Sequence, residues 1–185
     1  MNNELTATIL NLNGGKTILY PTDTVWGLGC DATNNDAVAK IYDLKNREES
    51  KSLVVLVDSI EMLKDHVGII PEKAIEILQK SDKPTTIIYN QAKNLAKNTI
   101  AIDGSIAIRI PKHQFCLELI QKFGKPIVST SANVSGEVTP KSFSEISQAI
   151  LDGVDYIVNL DRDKITDKSS TILKINNDDI EVIRA

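Results

Sequence analysis

Cysteine is nearly missing from this chain: Cys30 and Cys116 are the only two in 185 residues. They lie far apart, in no metal-ligand or redox spacing. A disulfide framework and a cysteine-rich metal site are therefore excluded, and a reducing compartment is the simple expectation. Long apolar runs are missing as well, since none approaches the roughly 20 residues that cross a bilayer. Residues 1–15 show no basic segment followed by an apolar stretch, so no leader is read there and a cytoplasmic location is expected. Positive charge is not in excess: 21 Lys and Arg against 25 Asp and Glu leave a net charge of -4. Any nucleic-acid contact would have to rely on a local basic patch. Repeats, low-complexity tracts and linkers are also absent, and the length fits one domain over 1–185 with a real core.

Several familiar motifs begin and are not completed. Gly15-Lys16-Thr17 looks like the end of a phosphate-binding loop, but Leu10 stands where the first glycine belongs, and Lys16 leads into a strand-like run. A turn is the better reading. Gly27-Leu28-Gly29 lacks the third glycine of a dinucleotide fingerprint and opens no helix. His66 and His113 are isolated from each other and from the cysteines, which argues against a metal centre. Ser131 has no Ser-x-x-Lys partner and no histidine placed to activate it, so covalent serine catalysis is not expected.

What is present is an alternation of two periodicities. Helices are predicted over 3–12, 34–44, 59–66, 72–80, 114–123 and 143–151, the second capped by Asn34. Strands are predicted over 17–20, 25–30, 53–57, 85–89, 106–110, 126–129, 155–160, 171–175 and 180–184. The run Leu53-Val54-Val55-Leu56-Val57 is apolar throughout, as in a strand covered on both faces. The interleaving predicts an α/β fold on one largely covered, mixed sheet.

Three segments gather turn residues, hydroxyls and cations at predicted strand ends: 20–31, 45–52, and 129–136 just after a strand. In open α/β sheets, ligands sit beyond strand ends. Lys45, Arg47 and Lys51 place three positive charges within seven residues. Thr22, Thr24, Ser129, Thr130 and Ser131 add short hydroxyls. That inventory suits a polyanion, because guanidinium can fork onto phosphate or carboxylate oxygens. Taken singly, each segment also reads as a helix-end charge cluster or an ordinary turn.

Taken together, they resemble the YrdC-like family of threonylcarbamoyl-AMP synthases, in its single-domain bacterial form. The matching residues are Pro21-Thr22-Asp23-Thr24-Val25 through Gly27-Leu28-Gly29, Lys45-x-Arg47, Ile108-Arg109-Ile110-Pro111, Ser129 through Gly136, and Ser170-Thr171-Ile172 followed by Arg184. They occur in the family's order over almost the whole chain. The resemblance implies a twisted mixed sheet flanked by helices, with a concave active-site cavity. It also implies an ATP-dependent reaction that joins L-threonine and bicarbonate to AMP with release of diphosphate, for threonylcarbamoyladenosine in tRNA. Carried over by position, Thr24, Arg109, Ser129 and Ser170 would hold threonine, with Arg109 taking its carboxylate. Arg47, Lys51, Ser105, Ser131, Asn133, Thr139 and Arg184 would line the ATP site. Lys45, Arg47 and Lys51 would form the catalytic clamp, with Mg²⁺ carried chiefly on the ATP phosphates and no metal held by the protein alone. The implied partners are threonylcarbamoyl-transferase proteins acting on tRNA, with at most weak direct RNA contact and no membrane.

Trp26 stands where the family commonly has tyrosine, Glu48 and Ser52 replace proline or glycine, and Leu56 occupies the place of a threonine-contacting histidine. Two other readings remain open at this point. One is a carbamoyl-adenylate-forming domain using carbamoyl phosphate; the other is a double-stranded RNA-binding module.

Overall fold

A computed structural model describes residues 1–48, 53–176 and 179–185, with the side chain of Asn176 left out. The chain opens with helix α1 (Asn2–Asn13), which turns Leu5 and Leu12 inward and ends at Gly14. Gly15 then takes a positive φ of 64°, so the Gly-Lys-Thr segment is a turn into strand β1 (Ile18–Tyr20). Strand β2 (Gly27–Gly29) returns antiparallel to it. Helix α2 (Asn35–Lys45) begins where the Asn34 side chain accepts hydrogen bonds from the amides of Asp36 and Ala37, and stops at left-handed Asn46.

Strand β3 (Val54–Leu56), helices α3 (Ile60–His66) and α4 (Glu72–Lys80), and strands β4 (Thr85–Tyr89) and β5 (Ile106–Arg109) follow. Helix α5 (Gln114–Phe123) leads to β6 (Ile127–Ser131). The helix expected over 143–151 is broken: a 3-10 turn at Phe143–Glu145 precedes α6 (Gln148–Gly153), because Ile146 and Ser147 are extended. The expected strand at 155–160 shrinks to β7 (Tyr156–Ile157), and β8 (Thr171–Asn176) and β9 (Asp179–Arg184) close the chain. Among the described residues no helix is long and apolar enough to cross a membrane.

The strands form one mixed sheet in the order β7-β1-β2-β6-β3-β5-β4-β8-β9. Alternate residues of each strand face opposite sides, and the two sides are covered differently. One side carries Leu19, Leu28, Val128, Val55, Ile108, Ile87 and Ile175 into a large core under α2, α3, α4 and α6. The other carries Ile18, Tyr20, Leu56 and Ile127 against Leu5 and Leu12 of α1 and Phe115, Leu119 and Ile120 of α5. Those two helices cover only part of that face. The remainder is a concave floor, and there the inward residues cease to be uniformly apolar.

Candidate active site

The floor can be followed from strand register. Ser129 of β6 lies beside Val54 of β3, which pairs with Ala107 of β5, which pairs with Ile88 of β4. In the parallel row two residues along, Leu56 pairs with Arg109, Arg109 with Thr86, Thr86 with Ile172 of β8, and Ile172 with Arg184 of β9. These two rows run beneath a cavity of about 440 Å³, a volume suited to a small molecule. Its described walls include Thr24, Trp26, Arg47, Ser131, Thr139, Asp167 and Ser169. The site therefore lies across the sheet face rather than beyond the strand ends, where the sequence pattern had placed it. Ser129, Thr130 and Ser131 belong to β6 itself, not to a loop after it.

Gly27 and Gly29 owe their presence to this crowding. A Cβ on Gly29 would overlap the Val128 carbonyl and lie 2.8 Å from the Tyr20 ring; one on Gly27 would lie 3.2 Å from Ser129 Oγ. The Tyr20 hydroxyl donates to Val128 O at 3.2 Å, and burial raises its pKa beyond any working pH. Trp26 is buried against Phe143 with ring centroids 5.0 Å apart, and the Arg162 guanidinium lies 4.4 Å from the Phe143 ring.

Of the residues expected to hold threonine, Thr24, Arg109, Ser129 and Ser170 all line the cavity. Ser170 shares a 2.8 Å hydrogen bond with Thr86, and its carbonyl accepts from Arg184 Nε and Nη2 at 3.1 and 2.8 Å. Burial, then the charge of Arg109, lowers the pKa of Arg184, a cation pressed towards another cation. Of the expected ATP-site residues, Arg47, Ser131, Thr139 and Arg184 reach the same cavity. Lys51 lies outside the described residues, as does Ser52.

Three of the expected residues stand outside the described lining. Lys45 does not line the cavity: it is 2% exposed, on the inward stripe of α2 with Ala37 and Ile41. Its Nζ donates to the carbonyls of Ser131 at 2.5 Å and Asn133 at 2.6 Å, while its own carbonyl accepts from Ser135 N at 2.8 Å. It is a brace between α2 and the end of β6, and burial, then Arg47, pushes its pKa down to about 8. Asn133 also turns away, donating to the carbonyls of Val134 and Glu137 within its own loop. Ser105 is buried ahead of β5, with its amide on Asp103 Oδ1 at 3.0 Å, outside the lining.

Leu56, in the histidine's place, shares a row with Arg109 but is fully buried in the core under α1 and α5. Asp23 and Asp167 were missed. The Asp23 carboxylate pairs with Arg109 Nη1 and accepts from Lys112 N at 3.0 Å. Its place within Pro21-Thr22-Asp23-Thr24-Val25 is the sequence signal that points to it. Asp167 sits in a stretch with no periodicity, and only its closeness to Ser170 pointed to it. The histidines stay apart: His66 is buried, and His113 pairs with Asp161 at 3.0 Å. Among the described residues no cluster of metal ligands occurs.

The comparisons decide the family. The sequence model of the family Sua5_yciO_yrdC, described as "Telomere recombination", matches residues 11–185. The chain belongs to this family. A "Threonylcarbamoyl-AMP synthase" of Pseudoalteromonas translucida (strain TAC 125) is 36% identical over 158 residues, covering 84% of each chain. The crystal structure of P. abyssi Sua5 complexed with L-threonine superposes with a TM-score of 0.89 at 25% identity. It matches 97% of this chain and 53% of that one, so the chain spans about half of that relative's length. Full-length HypF in the phosphate- and nucleotide-bound form gives 0.84 at 26% identity, over 98% of this chain and 28% of that one. Membership in this family therefore rests on sequence and fold together.

Proposed function

We propose that the chain is an L-threonylcarbamoyladenylate synthase, converting L-threonine, bicarbonate and ATP to threonylcarbamoyl-AMP and diphosphate. The observation that carries this reading is the cavity itself, where three guanidinium groups, Arg47, Arg109 and Arg184, meet hydroxyls from Thr24, Ser129, Ser131 and Ser170. The names of the relatives agree with it. Threonine's amine and bicarbonate give a carbamate with loss of water. A carbamate oxygen attacks the α-phosphorus of ATP, and the bond to the β-phosphate oxygen breaks as diphosphate leaves. Such a displacement needs positioning and neutralised charge more than a strong acid or base. Arg47 and Arg184 suit the phosphates, and Arg109 suits the threonine carboxylate.

Magnesium would supply further charge neutralisation, carried chiefly on the phosphates; Asp167 is the one carboxylate among the described lining residues. The product would pass to proteins that transfer the threonylcarbamoyl group to tRNA, and the cytoplasm is the location proposed for that work. The test is diphosphate release from ATP with and without threonine and bicarbonate. Release that needs both supports the synthase. Release driven by carbamoyl phosphate and indifferent to threonine would favour the carbamoyl-adenylate-forming reading, and RNA binding without diphosphate release a binding module.

A further inference from the structure

The guanidinium of Arg109 has two edges that can fork onto a carboxylate: the end, Nη1 with Nη2, and the side, Nε with Nη2. The end is not available. Asp23 holds Nη1 in an ion pair whose side chains are 4% and 8% exposed, and the second oxygen of Asp23 is fixed by the amide of Lys112 at 3.0 Å. The side edge is different. Among the described residues, the buried Arg109 Nε has no hydrogen-bond partner, and Nη2 makes a long contact of 3.4 Å to Thr24 Oγ1. A buried donor left without an acceptor is costly and calls for an explanation, of which a part in binding or catalysis is one. Arg109 lines the cavity, so the unused edge belongs to a side chain already at the site.

We propose that Asp23 is a positioning residue, which holds Arg109 by Nη1 so that its Nε–Nη2 edge takes the substrate carboxylate side-on. This rests on the synthase reading and adds a residue and an orientation to it. The carboxylate of Asp23 does not touch substrate. It acts by fixing the rotation of the guanidinium about its last side-chain bond, and it lends the buried cation a permanent counter-charge. A freed guanidinium would present either edge, or fall back onto Thr24, and the two-point contact would be lost for much of the time.

The test uses the full chain and steady-state diphosphate release, with KM measured separately for threonine and ATP. Asp23→Ala should raise the threonine KM on the order of 10- to 100-fold, the range for breaking a charge-assisted network, while the ATP KM moves by less than about threefold. The nearly isosteric Asp23→Asn guards against a folding failure and should raise threonine KM by a smaller factor in the same direction. The decisive readout is the cycle with Arg109→Lys: because Asp23 works through Arg109, adding Asp23→Asn to Arg109→Lys should cost little more than Arg109→Lys alone. Unchanged or lowered threonine KM in Asp23→Asn overturns the inference, as does full additivity in the cycle, and both leave the synthase reading intact. A parent protein that uses no threonine overturns both.

Discussion

Two regions of one sheet face carry opposite contents. Under α1 and α5 the inward positions are Ile18, Tyr20, Leu56 and Ile127, sealed by Phe115, Leu119 and Ile120. Two residues along β6 and on the neighbouring strands, the same alternation presents Ser129, Ala107, Arg109 and Arg184 to the cavity. From β6 through β3, β5 and β4 to β8 the rows stay in register, with one irregularity where β8 meets β9, so the difference lies in side chains and in whether a helix covers them. The site exists because the helical layer stops short, and the uncovered rows mix hydroxyls and guanidinium groups with the aliphatic Val54, Ile88, Ala107 and Ile172.

The sharpest way to break this division is in the covered half. Phe115→Ala removes a buried ring and should cost about 3–5 kcal/mol of stability in a urea melt. Turnover per folded molecule should be preserved; a loss there would mean that α5 shapes the site as well as covering the sheet. Next in size is Arg47→Ala in the open half. Diphosphate release should fall on the order of 100-fold, equivalent to about 2.7 kcal/mol, with little change in the melting midpoint. A stability loss without a rate loss would assign Arg47 to the scaffold.

Lys45→Met examines the seam between the halves and strips donors from two carbonyls, at an expected cost of about 1–3 kcal/mol. Its pH dependence has a definite sign. The folded pKa of Lys45 lies near 8, below its ordinary 10.5. Between those values the unfolded chain binds the proton and the folded chain does not, so this residue makes stability rise with pH. Buried Tyr20, Cys30 and Cys116, all with raised pKa values, act in the opposite direction. Only the difference between parent and Lys45→Met isolates the lysine, and it should shrink steadily in the parent's disfavour below pH 10 and level off below pH 8. A constant difference across urea melts from pH 7 to 10.5 would place its folded pKa at the ordinary value.

The smallest effect is expected from Ser170→Ala, which loses the Oγ contacts to Thr86 and Arg184 but keeps the carbonyl that holds Arg184. A loss of about threefold to tenfold in kcat/KM for threonine follows from one hydrogen-bonding group. An effect as large as that of Arg47→Ala would give this serine a direct part in the chemistry.

Much of the fold was legible because its elements bury one stripe or one face. The α5 helix falls on 114–123 as its apolar spacing predicted, and β4 on 85–89. The site was legible as clusters of residue types and illegible as positions. Thr130-Ser131 reads as falling after the strand predicted to end at 129, because hydroxyls break the apolar pattern that identifies strands. Lys45 reads as a solvated helix-end cation; only the fold brings it to carbonyls 86 and 88 residues away. The pairing of Asp23 with Arg109 likewise spans 86 residues and leaves no local trace.

The row that carries Arg109 and Arg184 has one more consequence. From β5 through β4 and β8 to β9 it crosses three strand gaps of about 4.8 Å, so the two arginine backbones stand about 14 Å apart along it. Hydrogen bonding between strands thus works as a ruler, graduated in a length that soft loops could not keep. It is also a ruler with a single fault. If β8 slipped by one residue, Ile172 would turn to the opposite face and Arg184 would lose its place opposite it. A small error in pairing would then erase the spacing altogether instead of blurring it, and would turn buried Leu173 and Ile175 out of the core with it.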